Sequence, residues 1–162
     1  MTPDDLVEIE KIKQLKAKYC LLMDQKRWDE MAEQVFCDDV VIDTTEEGSG
    51  IIHGCAPYLE FLVPILADVS TCHHVHAPII TRTGPDTAEG IWSMEDMLRW
   101  PDGSPIEKLW GLGWYEEQYR READGEWRIA HMKLRRIRVE LDGKPAGDGD
   151  RPASGGRSNQ PA

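Results

Sequence analysis

The chain has 162 residues, with 19 Lys and Arg against 30 Asp and Glu, a formal net charge of −11. A surface of that sign repels phosphate backbones and anionic lipid headgroups, which argues against nucleic-acid and membrane partners. Hydrophobic residues make up 40 % with six Trp, enough for one domain with a true core.

The opening residues MTPDDLVEIE are acidic and lack the basic and apolar regions of a secretory leader. No apolar run approaches the length of about 20 residues that a membrane span needs. Cys20, Cys37, Cys55 and Cys72 are widely spaced without a CxxC pair and read as reduced thiols of a cytoplasmic protein.

Thr2-Pro3-Asp4-Asp5 is a helix start: a hydroxyl cap, Pro at the first helical position and acids in the first turn. Leu6, Ile9, Ile12, Leu15, Tyr19 and Leu22 then recur at helical spacing, while Lys11, Lys13, Lys16 and Lys18 are expected to reach water. Cys20 to Met23 is a non-polar run around the whole helix, expected to be buried on all sides, and Asp24 follows it at once. A carboxylate there is either a turn residue or a buried acid with a task. A short helix is predicted over about 27–35, a strand over Val40–Thr44, a return strand at Ile51–His53, and a helix from Cys55 that Pro64 ends or kinks.

From Ser70 the pattern turns to period two, with four strands at about 71–81, 88–100, 106–121 and 126–141 separated by short turns. Gly111 and Gly113 within the third imply a bulge or bend. The expected fold is α+β: a curved antiparallel sheet, with the N-terminal helices on its concave face, forming a cone with an internal pocket. Residues 142–162, rich in Gly and Pro without aromatic or branched aliphatic residues, read as a disordered tail outside a domain of residues 1–141.

Strand alternation assigns each polar residue a face. His73 shares one with Thr71, Val75, Ala77 and Ile79; Asp96 shares one with Trp92, Met94 and Leu98; Arg136 shares one with Ala130, Met132 and Leu134. Each alone has an ordinary explanation, such as a satisfied core histidine or an Asp96–Arg136 ion pair. Tyr19, Asp24, His73, Asp96 and Arg136 all aimed at one cavity instead favour a site, and a His, a carboxylate and a phenol form an acid–base set that needs no cofactor. Cys72, His74 and His76 alternate on the opposite face without an evident fourth ligand, so no metal is expected. Outward apolar groups on the last strand, Ile129, Ile137 and Val139, point to a homo-oligomer.

These residues resemble the SnoaL-like branch of the nuclear transport factor 2-like superfamily, whose members include dehydratases, dehydrochlorinases and ketosteroid isomerases. EIEKIKQLKAKY with LMDQKRWDEM, CHHVHAPII, GIWSMEDML and GEWRIAHMKLRRIRVE are similar in spacing to bacterial bile-acid dehydratases of that branch. The resemblance implies Tyr19, Asp24 and His73 as catalytic residues, Asp96 and Arg136 as pocket residues that bind substrate, and a dimer or trimer. It also implies a cofactor-independent lyase that removes the 7-hydroxyl of a 3-oxo-Δ4 bile-acid-type steroid, a small apolar substrate. An isomerase, a dehydrohalogenase or a plain binding module on the same fold are the alternatives. Whether Tyr19 protonates the leaving group or bonds the dienolate oxygen stays open.

Overall fold

The computed structural model describes residues 2–146. Helix α1 (Pro3–Asp24) opens on a reciprocal cap. The Asp5 amide donates to Thr2 Oγ1 at 3.2 Å and the Thr2 amide donates to Asp5 Oδ2 at 2.7 Å, satisfying two amides that the first turn would leave unpaired. The predicted stripe buries Ile12, Leu15, Tyr19 and Leu22. Two expectations fail. Lys16 is fully buried because it lies one turn before Tyr19 and Cys20, within the stripe, where a distant acid meets it. Leu21 is 51 % exposed, since it lies on the opposite side of the helix from the core.

Helix α2 (Trp28–Gln34) leads into β1 (Phe36–Thr44); a 3₁₀ turn at Thr45–Glu47 and strand β2 (Gly50–His53) follow. Helix α3 (Cys55–Leu66) contains Pro64, which has no amide to donate to the turn before it, and the helix ends two residues later, as expected. Strands β3 (Ser70–Arg82), β4 (Thr87–Arg99), β5 (Lys108–Arg121) and β6 (Trp127–Leu141) form the predicted antiparallel meander. The sheet order is β2-β1-β6-β5-β4-β3, and β1 lies parallel to β6, so the expected antiparallel sheet is mixed at that single junction.

Bulges curve the sheet. Opposite Leu112 and Gly113 of β5 the pairing steps from Arg138 to Arg136, leaving Ile137 of β6 over; a Cβ on Gly113 would lie 1.9 Å from the Arg135 carbonyl oxygen, so only glycine permits the approach. On β3 the slip falls between His76 and Ile79, with Ala77 at φ +34° and Pro78 lacking a donor on an edge strand. It corrects the face assignment: Val75 packs on the core, but Ile79 is 68 % exposed and Ile80 packs in its place. On β6 the pairing steps from Ile129–Tyr119 to His131–Gln118, leaving Ala130 over. Ile129 is therefore buried instead of outward, whereas Ile137 is exposed as expected.

Helix α1 crosses the concave face and its apolar stripe meets the inward residues of β4, β5 and β6 in one core. The segment read as a tail begins with a turn at Asp142–Gly143, and β7 (Lys144–Pro145) pairs back on β6. The rest of that segment, residues 147–162, lies outside the described residues. Among the described residues no helix is long and apolar enough to cross a membrane.

Candidate active site

Asp24, the last residue of α1, points its carboxylate at the start of β3. His73 Nδ1 lies 2.7 Å from Asp24 Oδ1, and the His73 amide donates to Asp24 Oδ2 at 2.9 Å. The Thr71 hydroxyl donates to Asp24 Oδ1 at 2.8 Å. Burial alone would push the Asp24 carboxyl up; the bonds from the His73 ring and amide and from Thr71 outweigh it and hold it below the usual carboxylate range. An ionised carboxylate only accepts, so Nδ1 carries the proton and Nε2 is the basic nitrogen. His73 lines an internal cavity and Asp24 stands behind it, off the wall.

Three phenols line the same cavity: Tyr19 from α1, Tyr58 from α3 and Tyr115 from β5. Burial pushes all three hydroxyls above the usual tyrosine range; Tyr115 and Tyr58 add to the shift of Tyr19, while Tyr19 pulls theirs back in part, and all three remain neutral donors at physiological pH. Behind them the Lys16 ammonium sits 3.9 Å from the Tyr19 ring centroid and 3.6 Å from that of Tyr115. Its ion partner is Glu117, which also accepts the Tyr119 hydroxyl; Trp92 Nε1 donates to Tyr119 at 2.7 Å.

Asp96 and Arg136 meet as a bidentate pair, with Nη1 and Nη2 each 2.8 Å from a carboxylate oxygen. Gly111 makes room for them, since a Cβ there would lie 2.2 Å from Asp96 Oδ1. Arg136 Nε and Nη2 donate also to Glu47 on the 3₁₀ turn, so its donors are committed to two acids. Both residues line the cavity, and the Arg136 guanidinium stays charged: burial works against it, Glu47 and Asp96 for it.

The cavity holds about 190 Å³, with Phe61, Leu62 and Ile65 of α3 forming one wall. Wider clefts lie elsewhere among the described residues. A cleft of about 640 Å³ runs along α1, a second of about 500 Å³ lies at the end of the sheet and includes Cys72, and a third of about 300 Å³ lies over β3 to β6 around Ile91 and His131. None of these contains the His73–Asp24 pair. On the outer face of the sheet Cys72 Sγ lies 3.3 Å from His74 Nε2, and the His74 and His76 rings are 6.2 Å apart. Among the described residues no group of three or more His, Cys, Asp or Glu is arranged to hold a metal ion.

A family model described as the SnoaL-like domain matches residues 4–133. The chain belongs to that family. Solved structures share the SnoaL-like fold at low identity. A scytalone-dehydratase-like protein from Novosphingobium aromaticivorans is 21 % identical with a TM-score of 0.76, covering 86 % of this chain and 91 % of that one. The Kfla4162 protein from Kribbella flavida is 21 % identical with a TM-score of 0.77, over 84 % and 95 %. The type 3 hexachlorocyclohexane dehydrochlorinase LinA from Novosphingobium barchaimii is 18 % identical with a TM-score of 0.72, over 85 % and 92 %.

In this SnoaL-like domain Tyr19, His73, Asp96 and Arg136 share one cavity, with Asp24 bonded to His73 from behind. Sequence reasoning missed Tyr58, Tyr115, Glu47 and Thr71. Tyr115 was within reach, because β5 alternates Gly111, Gly113 and Tyr115 on the face that meets Asp96 and Trp92. Glu47 had no periodic signal, since it stands in a polar turn.

Proposed function

We propose that this SnoaL-like domain is a cofactor-independent lyase that removes water from a hydroxylated carbonyl compound, with the His73–Asp24 pair as base. The observation that carries this reading is the 2.7 Å bond between His73 Nδ1 and Asp24, which leaves Nε2 as the basic nitrogen of a ring on the cavity wall beside three neutral phenols. His73 takes the acidic proton, and Asp24 fixes the tautomer and stabilises the imidazolium. The electron pair of the broken C–H bond spreads to the carbonyl oxygen, where phenol hydrogen bonds strengthen as charge develops. As that charge returns, the hydroxyl leaves, and the imidazolium gives it a proton, so water departs. Phenols held above their usual pKa suit hydrogen-bond donation better than proton transfer, which supports reading Tyr19 as a donor to the oxygen.

The finer reading is a 3-oxo-Δ4 steroid losing its 7-hydroxyl. Its vinylogous ketone makes the carbon-6 proton acidic. About 190 Å³ is below the range of roughly 300–1,000 Å³ for sites that enclose a whole drug-sized ligand. The two rings bearing the ketone and hydroxyl would enter, and the remainder would lie over Phe61 and Ile65, which are 37 % and 46 % exposed at the mouth. A dehydrohalogenase would use the same pair, so the test offers both substrate kinds.

Purified protein is incubated with 3-oxo-Δ4 hydroxysteroids, smaller β-hydroxyketones and β-haloketones, following the conjugated product by absorbance. His73→Ala and Asp24→Asn should each slow elimination by about 10²–10⁴-fold, the double variant little further, and His74→Ala, on the outer face, hardly at all. Full turnover by His73→Ala would end the proposal.

A further inference from the structure

The His73–Asp24 pair continues into a third and a fourth residue. Lys26 Nζ donates to Thr71 Oγ1 at 2.8 Å, and Thr71 Oγ1 donates at 2.8 Å to Asp24 Oδ1, the oxygen that faces His73 Nδ1 at 2.7 Å. Chemistry sets the direction of this chain. An ammonium only donates and an ionised carboxylate only accepts, so the hydroxyl between them must pass the polarisation on. One positive charge thus stands a single hydroxyl away from the carboxylate that orients the histidine.

The backbone supplies a separate observation. Lys26 follows the C-cap of α1 with φ +59°, in the left-handed region. Helices commonly end with glycine in that conformation, because a Cβ is strained there. A lysine occupies it here, and its ammonium is turned back towards the protein. Burial pulls its pKa below the usual lysine range, with Asp24 acting in the opposite direction. The other charged or titratable groups of the cavity that His73 lines are Asp96, its register partner on β4, with Arg136 and Glu47 bonded in one cluster; Asp43, paired with Lys133; and the neutral phenols Tyr19, Tyr58 and Tyr115.

We infer that Lys26 and Thr71 are positioning residues that hold the Asp24 carboxylate against His73 and set the proton affinity of the imidazole from behind. The role rests on the reading of His73–Asp24 as the base of an elimination, but its test reads the histidine directly. A nearby cation disfavours imidazolium. Lys26 therefore lowers the pH at which His73 protonates, keeping more of the ring in the basic form near neutrality, while Asp24 works in the opposite sense. Thr71 makes the two act through one oxygen.

The experiment is an NMR titration of the His73 ring nitrogens in the full chain. Lys26→Gly should raise the His73 midpoint by on the order of half a pH unit, Lys26→Arg should leave it near the wild-type value, and Thr71→Val should raise it by less than Lys26→Gly. Thermal melting separates this role from a structural one, because glycine suits the left-handed backbone: Lys26→Gly should melt at or above the wild-type temperature while elimination near neutrality slows by up to about threefold, the most that half a pH unit takes from the basic form, with KM nearly unchanged. Lys26→Met keeps the aliphatic stem and should show the same midpoint shift if stability is affected instead. A His73 midpoint unchanged in both Lys26→Gly and Lys26→Met would overturn the inference. Asp24→Asn is the independent control on the pair itself: it should lower the His73 midpoint, and a failure there would count against the pair, whatever Lys26 does.

Discussion

Lys16→Met is the substitution whose consequence the structure defines most sharply. The Lys16 ammonium has no access to water; it is flanked by the Tyr19 and Tyr115 rings at 3.9 and 3.6 Å and bonded to Glu117, whose side chain is equally inaccessible. Removing one member of a buried pair leaves the other charge without compensation, at about 3–5 kcal/mol. Two ring contacts with a desolvated cation are lost as well, but the new methyl group recovers part of their packing. The Tyr119 hydroxyl still donates to Glu117, so the lower end, about 3 kcal/mol, is expected. For a domain of this size each kcal/mol moves Tm by roughly 2–4 °C, which gives a drop of about 6–12 °C. Adding Glu117→Leu should recover most of it, because replacing both charges by apolar groups of similar volume is often neutral or stabilising. The assay is urea unfolding of the wild type, both single variants and the double variant as a thermodynamic cycle. A Lys16→Met loss below about 1 kcal/mol, or a double variant as unstable as the sum of its parts, would refute the reasoning.

Two further perturbations test other parts of the domain. Gly111→Ala would put a Cβ 2.2 Å from Asp96 Oδ1 and 2.4 Å from Arg136 Nη1, so the bidentate pair must open; a loss of roughly 2–4 kcal/mol is expected in urea unfolding, and a loss within experimental error would show that the pair shifts freely. Asp43 is held down to about 2 against the upward push of burial, by the Lys133 ammonium and the Thr45 hydroxyl and amide. Its folded value lies below the unfolded one of about 3.9, so its contribution is present above that pH and disappears as pH falls towards 2. Asp43→Asn should therefore lower Tm at pH 6 and flatten the fall of Tm between about pH 4 and 2; an unchanged slope would contradict the assignment.

Much of this protein was legible in local pattern, and the limits of that legibility have a physical origin. Helix α1 was readable because its cap, its acids and its stripe all lie within a few turns of one another, and the ends of the meander strands because turn residues interrupt an alternating pattern. Alternation also placed His73 and Asp96 on inward faces, since period two holds wherever a strand is unbroken. It failed across the bulges at Ala77 and Ala130, where one extra residue reverses the alternation on one side relative to the other, leaving Ile79 outward and Ile129 inward. Partner choice was hidden for a different reason. Glu117 meets Lys16 across 101 positions and Thr71 meets Asp24 across 47, and nothing in the periodicity of either segment encodes that meeting. Local sequence therefore determined most inward faces within unbroken segments. Only the tertiary structure decided which of them touch: the parallel entry of β1 beside β6, the three phenols around one cavity, Glu47 closing on Arg136, and a lysine in a glycine conformation behind the His73–Asp24 pair, because each depends on how segments distant in the chain pack together.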